Sequence, residues 1–114
     1  MAVLKNVSTG AIVATRVERA TRFVERMVGL MARPRIRPDE GIWIEDCGGI
    51  HTIGMRSSID VIFIDGEARV VRVHMNVAPF TLALVCRKAH AVIELGAGAL
   101  EHQDILVGDH LELR

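Results

Sequence analysis

Four reactive side chains follow one another closely near the middle of the chain: Cys47, His51, Met55 and Arg56. A thiolate, an imidazole and a thioether are ligands that suit copper or zinc. The first three recur at four-residue intervals, but the glycines between them disfavour the helix that would align them. No Cys-x-x-Cys or His-x-x-x-His pair occurs in the sequence. A soft-metal site of Cys47, His51 and Met55 is therefore an alternative hypothesis, and packing of both sulfur residues in the core is the leading one.

The same segment could instead carry nucleophilic catalysis. A Cys47 thiolate would attack the substrate, and His51 would act as its base. An acid such as Asp46 or Asp60 could orient the imidazole. No protease-type signature surrounds Cys47. A small hydrolase or lyase that uses Cys47 and His51 is the second alternative.

Two carboxylates lie within apolar stretches, Asp60 in SIDVIF and Glu94 in VIEL. Their strand positions predict that at least one is turned inward, where an unpaired charge is costly. Arg56 is the expected partner of Asp60, because a bidentate arginine–carboxylate pair would satisfy both groups. A polar pocket in which Arg56 and His51 hold a ligand is the functional interpretation. General acid–base catalysis by Asp60 and Glu94 is a further alternative.

The elements that must position these residues are mostly strands. The chain has 114 residues, half of them hydrophobic, which is enough for one domain, residues 1–114. Valine and isoleucine are abundant, and β-branched residues favour sheets. Strands are predicted over residues 3–7, 11–17, 41–45, 59–65, 69–74, 82–86, 89–95 and 110–113. The stretch 59–65 is apolar on both faces, which is typical of a central strand, and Asp65-Gly66 predicts a hairpin after it.

One amphipathic helix is predicted over residues 21–33. Thr21 can cap its start, and Phe23, Met27 and Leu30 recur at helical spacing. Pro34 restricts the residue before it and would end the helix. The expected fold is mainly β, a sandwich or barrel-like sheet, with this early helix packed against it.

Charge is distributed unevenly along a chain with 14 basic and 14 acidic residues. Residues 1–38 hold eight basic and two acidic residues, which leaves six and twelve for the remainder. The basic segment lacks a nucleic-acid motif and aromatic interleaving, so no nucleic-acid partner is expected. The longest apolar run is five residues, too short to span a membrane. Two cysteines without a signal peptide indicate free thiols and a cytoplasmic location.

Six short strings occur in a fixed order along the chain. They are residues 29–33 (GLMAR), 41–43 (GIW), 51–56 (HTIGMR), 59–65 (IDVIFID), 94–98 (ELGAG) and 108–109 (GD). Together the set resembles the domain-of-unknown-function family 192 over nearly the whole chain. The resemblance implies a compact, mostly β domain with one early helix. It implies no activity, because the function of that family is not established.

The sequence therefore predicts a binding or accessory domain rather than an enzyme. The expected ligand is small and anionic or hydroxylated, and no cofactor is expected. The expected pocket is formed by His51, Thr52, Met55, Arg56, Asp60 and Glu94, with Trp43 as a wall.

Overall fold

The computed structural model describes residues 2–20, 35–50, 52, 55–81 and 84–114. This part of the chain forms nine strands. They are β1 (Ala2–Asn6), β2 (Ile12–Ala20), β3 (Glu40–Glu45), β4 (Gly49–Ile50), β5 (Ile59–Ile64), β6 (Val70–Val77), β7 (Leu84–Val85), β8 (Ala91–Gly96) and β9 (Leu111–Leu113). The mainly β class predicted from the sequence is confirmed.

Seven of these strands form one sheet in the order β6-β5-β8-β3-β2-β1-β9. Strands β2 and β3 run parallel, and the other neighbouring strands run antiparallel. The two edge strands, β6 and β9, also meet, because Arg69 and His110 form an antiparallel bridge just before them. Hydrogen bonds from Val70 N to Asp109 O and from Leu111 N to Ala68 O reinforce this junction. The sheet therefore closes into a barrel at this end, while β4 and β7 form a separate two-stranded sheet.

Side chains on the two faces of the barrel sheet form two cores. Alternate residues of a strand point to opposite faces, so Ile62 and Leu95 lie inside the barrel and Val61 and Val92 lie outside. The outer core also takes in residues of the loops and of the small sheet, such as Ile50. All six residues of β5 are buried, which confirms the prediction of a central strand over this stretch.

The tight connection predicted at Asp65-Gly66 is present between β5 and β6. The Asp65 carboxylate accepts hydrogen bonds from the backbone N–H groups of Glu67 and Arg69. Ala68 takes a positive φ of 60°, which completes the reversal. Asparagine and aspartate side chains stabilise turns in this way.

The expectation of a helix packed against the sheet is wrong for the described part of the chain, which contains strands and turns but no helix. Here β4, β7 and their loops cover the outer face, where Ile50, Leu84 and Cys86 pack on the barrel. The periodic segment over residues 21–33 lies outside the described residues. No helix of the described residues is long and apolar enough to cross a membrane.

Candidate functional site around Glu94

Glu94 is a buried carboxyl on the outer face of the barrel. It lies on β8, directly between Ile42 of β3 and Val61 of β5 in the register of the sheet. Glu94 is 1% exposed, and neither of its carboxyl oxygens has a hydrogen-bond partner among the described residues. Buried polar groups are nearly always hydrogen-bonded, so this carboxyl is an exception that needs an explanation.

Burial raises the pKa of Glu94 to about 7. The apolar surroundings disfavour the charged form, and burial is the cause of the shift among the described residues. Protonated and ionised forms therefore coexist near neutral pH. The protonated form presents one O–H donor and one carbonyl acceptor, whereas the ionised form presents acceptors alone.

Cys47 is coupled electrostatically to Glu94. Partial burial raises the pKa of the Cys47 thiol, and the negative charge of Glu94 raises it further. The Cys47 Sγ donates a hydrogen bond to the Gly49 carbonyl oxygen at 3.0 Å. Backbone hydrogen bonding with Gly49 lowers the pKa by less than burial raises it. Because the thiolate is the nucleophilic form, this environment favours the unreactive thiol. Cys47 and Cys86 both pack in the outer core, and both are free.

His74 lies in the same row of the sheet as Glu94. Val61 faces Glu94 on one side and His74 of β6 on the other. The His74 Nε2 atom is buried without a hydrogen-bond partner among the described residues, and its ring packs edge-on against Phe63 with 5.9 Å between centroids. Burial lowers the pKa of His74, with a further contribution from the charge of Arg72. Two buried groups without partners thus flank Val61.

Asp60 is placed quite differently from Glu94. It faces Leu95 in the register and lies on the inner face of the sheet. Its carboxylate oxygens accept hydrogen bonds from the backbone N–H groups of Asn76 and Leu100, both at 2.9 Å. The expected Arg56–Asp60 pair is therefore not formed, since backbone amides satisfy Asp60 and Arg56 is exposed. Nor can Asp60 and Glu94 act as an acid–base pair, because the sheet separates them.

Asp60 also lines an open cleft of about 410 Å³ at this end of the barrel. The other lining residues are Met75, Asn76, Ala97, Gly98 and Glu101. Among the described residues that line this cleft, two are carboxylates and none is a cation. Both Asp60 oxygens point to backbone amides, so the residue serves chiefly to hold β6 and the segment after β8 together.

Thr52 is completely buried, and its polar atoms are used within the fold. Its Oγ1 donates to Ala78 O at 2.7 Å and accepts from Thr81 N at 2.8 Å. Backbone bonds from Thr52 N to Thr81 O and from Phe80 N to Thr52 O run alongside. Thr52 therefore joins two loops and offers no free polar atom to a ligand.

Trp43 lies in the inner core of the barrel, on the face opposite to Glu94. Its Nε1 donates a hydrogen bond to Glu45 at 3.0 Å, and the Arg19 guanidinium lies 5.1 Å from its ring centroid. Arg19 and Glu45 also form an ion pair at 3.7 Å. Trp43 thus packs in the inner core and does not form a wall of the Glu94 site.

Of the other expected site residues, Met55 is 2% exposed and packs in the outer core that includes Ile42 and Val61. His51 lies outside the described residues, so the geometry between Cys47 and His51 and the proposed metal set stay predictions. Among the described residues, no group of three or more His, Cys, Asp or Glu side chains could hold a metal ion.

Besides the Glu94 oxygens, two other side-chain atoms are buried without a hydrogen-bond partner in the described chain, and the sequence analysis did not identify them. These are His74 Nε2 and Ser57 Oγ. The alternation of β6 was the only available signal for His74. It is obscured because the register between β5 and β6 shifts twice, between Ile59 and Val61 and between Phe63 and Ile64.

Comparisons with known proteins agree with the mainly β fold. A family model described as "Uncharacterized ACR, COG1430" matches residues 4–113. The chain is 32% identical over 110 residues to the UPF0127 protein PF1050 of Pyrococcus furiosus, with 94% of each chain covered.

Two crystal structures have a similar fold. One, from Sinorhizobium meliloti 1021, is described as a "putative transcription regulator"; it is 25% identical, with a TM-score of 0.80 and coverage of 98% of this chain and 91% of that one. The other is a protein of unknown function from Novosphingobium aromaticivorans DSM 12444. It is 23% identical, with a TM-score of 0.77 and coverage of 97% and 82%.

Proposed function

The chain belongs to the domain-of-unknown-function family 192, and we propose that it is a non-catalytic binding or accessory domain whose ligand is held by Glu94. The observation that carries this proposal is that neither oxygen of this carboxyl, in a residue that is 1% exposed, has a hydrogen-bond partner among the residues that the structure describes. Leaving a buried polar group without a partner costs roughly 1–3 kcal/mol. A bound ligand that hydrogen-bonds to Glu94 would recover this cost.

The ionisation of Glu94 favours a hydroxylated ligand over an anionic one. With a pKa of about 7, the carboxyl changes between an acceptor-only form and a form with one donor near neutral pH. A hydroxyl group both donates and accepts hydrogen bonds, so it can satisfy either form. An anion would require the protonated form and would be repelled by the ionised one.

Access to Glu94 requires the cover of the outer face to open. The described part of that cover includes β4 and β7, which pair through only two residues each. Short elements with few hydrogen bonds open at lower free energy than central strands do. This small sheet is therefore the element through which a ligand would enter.

Binding is favoured over catalysis by the surroundings of Glu94. A carboxyl with a pKa near neutrality could act as a general acid, but such chemistry needs a second group placed beside the substrate. Asp60 lies on the opposite face of the sheet, and the environment of Cys47 favours its thiol form. Among the described residues, Asp60 and Cys47 are thus not arranged as acid–base or nucleophilic partners of Glu94, and Val61 separates Glu94 from His74.

The proposal is tested by nuclear magnetic resonance of the ¹⁵N-labelled protein with glucose, N-acetylglucosamine, myo-inositol and glycerol. A binding probe is expected to move the amide signals of Ile42, Val61 and Glu94. Glu94→Leu removes both donor and acceptor and should abolish the shifts, whereas Glu94→Gln keeps both and should weaken them. Glu67→Gln, at an exposed turn residue, is the matched control and should bind as the natural protein does. Failure of every probe, or binding that Glu94→Leu does not change, would contradict the proposal.

A further inference from the structure

A second cleft, of about 440 Å³, lies between β6 and the turn that follows β7. Its lining residues are Val71, Arg72, Val85, Cys86, Arg87 and Lys88. Of these described residues, half are cationic and none is acidic. The chain as a whole has no net charge, so this concentration of positive charge is a local feature of the fold.

The three cations come from two neighbouring elements of the fold. Arg72 projects from β6, and Arg87 and Lys88 form the middle of a turn closed by the hydrogen bond from Ala89 N to Cys86 O at 3.2 Å. All three side chains are exposed, and none forms an ion pair within the described part of the chain. Like charges held close together repel one another, and an anion between them relieves that repulsion.

The other half of the cleft lining is apolar. Val85 is 61% exposed, which is high for a valine, and Val71 and the buried Cys86 lie beside it. Arginine guanidinium groups bind phosphate and carboxylate oxygens through paired N–H donors. Cationic and apolar side chains side by side suit a ligand in which an anionic group is attached to a small apolar group.

We propose that this cleft binds a small organic anion, a phosphate or carboxylate group attached to a compact apolar group. Arg72, Arg87 and Lys88 hold the anionic group, and Val71 and Val85 contact the apolar group. The site is separate from Glu94 and does not depend on the function proposed for it.

The test uses calorimetric titration of the full chain with phenyl phosphate and with inorganic phosphate. The double variant Arg87→Gln with Lys88→Gln should weaken phenyl phosphate binding by roughly 10- to 100-fold, since each exposed charge-assisted contact contributes up to about tenfold. The matched control, Lys5→Gln with Arg16→Gln, removes the same charge from β1 and β2 and should leave binding unchanged. Equal weakening in both double variants would show a general charge effect and overturn the proposal.

Two further variants test each half of the site separately. Arg72→Gln lies outside the turn and should weaken both phosphates even if the turn variant alters local folding. Val85→Ser should weaken phenyl phosphate several-fold and leave inorganic phosphate unchanged, because only the phenyl group contacts the valine. If inorganic phosphate binds as tightly as phenyl phosphate, the proposed contact of Val71 and Val85 with an apolar group is wrong. Titration with benzoate shows whether the site prefers a carboxylate or a phosphate group. If double-stranded DNA binds more tightly than phenyl phosphate and benzoate, the ligand is not a small anion and the proposal is overturned.

Discussion

Asp60 and Glu94 lie on the adjacent strands β5 and β8 but point to opposite faces of the sheet, and only Asp60 has hydrogen-bond partners in the described chain. Each is 1% exposed, so burial alone does not distinguish them. Two backbone amides fix Asp60, which makes it part of the framework. Both oxygens of Glu94, by contrast, have no hydrogen-bond partner among the described residues, and the proposed ligand site rests on these two atoms.

The stability of the protein should depend on pH through Glu94. Its pKa is about 7 in the folded protein and about 4.5 in an unfolded chain, so the folded state binds more protons between these values. Stability contributed by the protonated form is therefore fully present below pH 4.5 and is lost as the pH rises through 7. We expect Glu94→Gln, which carries no charge, to be more stable than the natural protein at pH 8 by up to about 3 kcal/mol.

Urea unfolding of both proteins at pH 4, 6 and 8 measures this difference. His74 acts in the opposite direction, because its lowered pKa makes stability fall as the pH drops through its ordinary range. His74 is present in both proteins, so the difference between their free energies of unfolding reports on Glu94. A difference that does not grow between pH 4 and pH 8 would contradict the prediction.

Removing the Asp60 carboxylate should destabilise the fold without regard to any ligand. Asp60→Ala leaves the N–H groups of Asn76 and Leu100 without their acceptor, at an expected cost of about 2–5 kcal/mol. Asp60→Asn keeps one acceptor and should cost less. Glu101→Ala, an exposed carboxylate of the same cleft, is the control and should change the free energy of unfolding by less than about 0.5 kcal/mol. An Asp60→Ala variant as stable as this control would refute the framework role.

The Cys47 thiol should react slowly with iodoacetamide. Burial and the charge of Glu94 both raise its pKa, so little thiolate is present at pH 7. In a Cys86→Ser background, Glu94→Gln should speed alkylation at pH 8, by less than about tenfold because burial is the larger cause. Alkylation at pH 7 as fast as that of free cysteine would instead indicate an activated nucleophile and would favour the Cys47/His51 enzyme hypothesis.

Gly41 should tolerate no side chain. A Cβ atom at this position would lie 2.0 Å from the backbone oxygen of Glu94, so β3 and β8 would have to separate. Gly41→Ala is expected to cost about 3 kcal/mol or more, measured by thermal unfolding. Gly66→Ala is the control, because its Cβ would meet nothing within 4 Å. Similar stabilities for the two variants would show that β3 and β8 are not packed as described.

Local patterns predicted much of the sheet. The apolar stretch of β5 and the turn at Asp65-Gly66 are encoded by neighbouring residues, and both are present. The apolar residues around Asp60 and Glu94 predicted that at least one of them is turned inward, and both are buried.

The faces of the two carboxyls could not be predicted, because they depend on the pairing of β5 with β8, about 30 residues apart in the sequence. Other long-range contacts place Trp43 in the inner core, through the pairing of β3 with β8, and Thr52 between two loops, through hydrogen bonds to Ala78 and Thr81. His74 was missed because bulges interrupt the alternation that would have indicated its face.

The measurement that tests the central claim most directly is a pH titration of the Glu94 side-chain carboxyl carbon by nuclear magnetic resonance, with Glu94→Gln to assign the signal. A buried carboxyl without partners should titrate with a midpoint near 7. The midpoint should move when a hydroxylated probe binds. A midpoint near 4.5, unchanged by any probe, would mean that Glu94 is hydrated or already partnered, and it would contradict a ligand site at this residue.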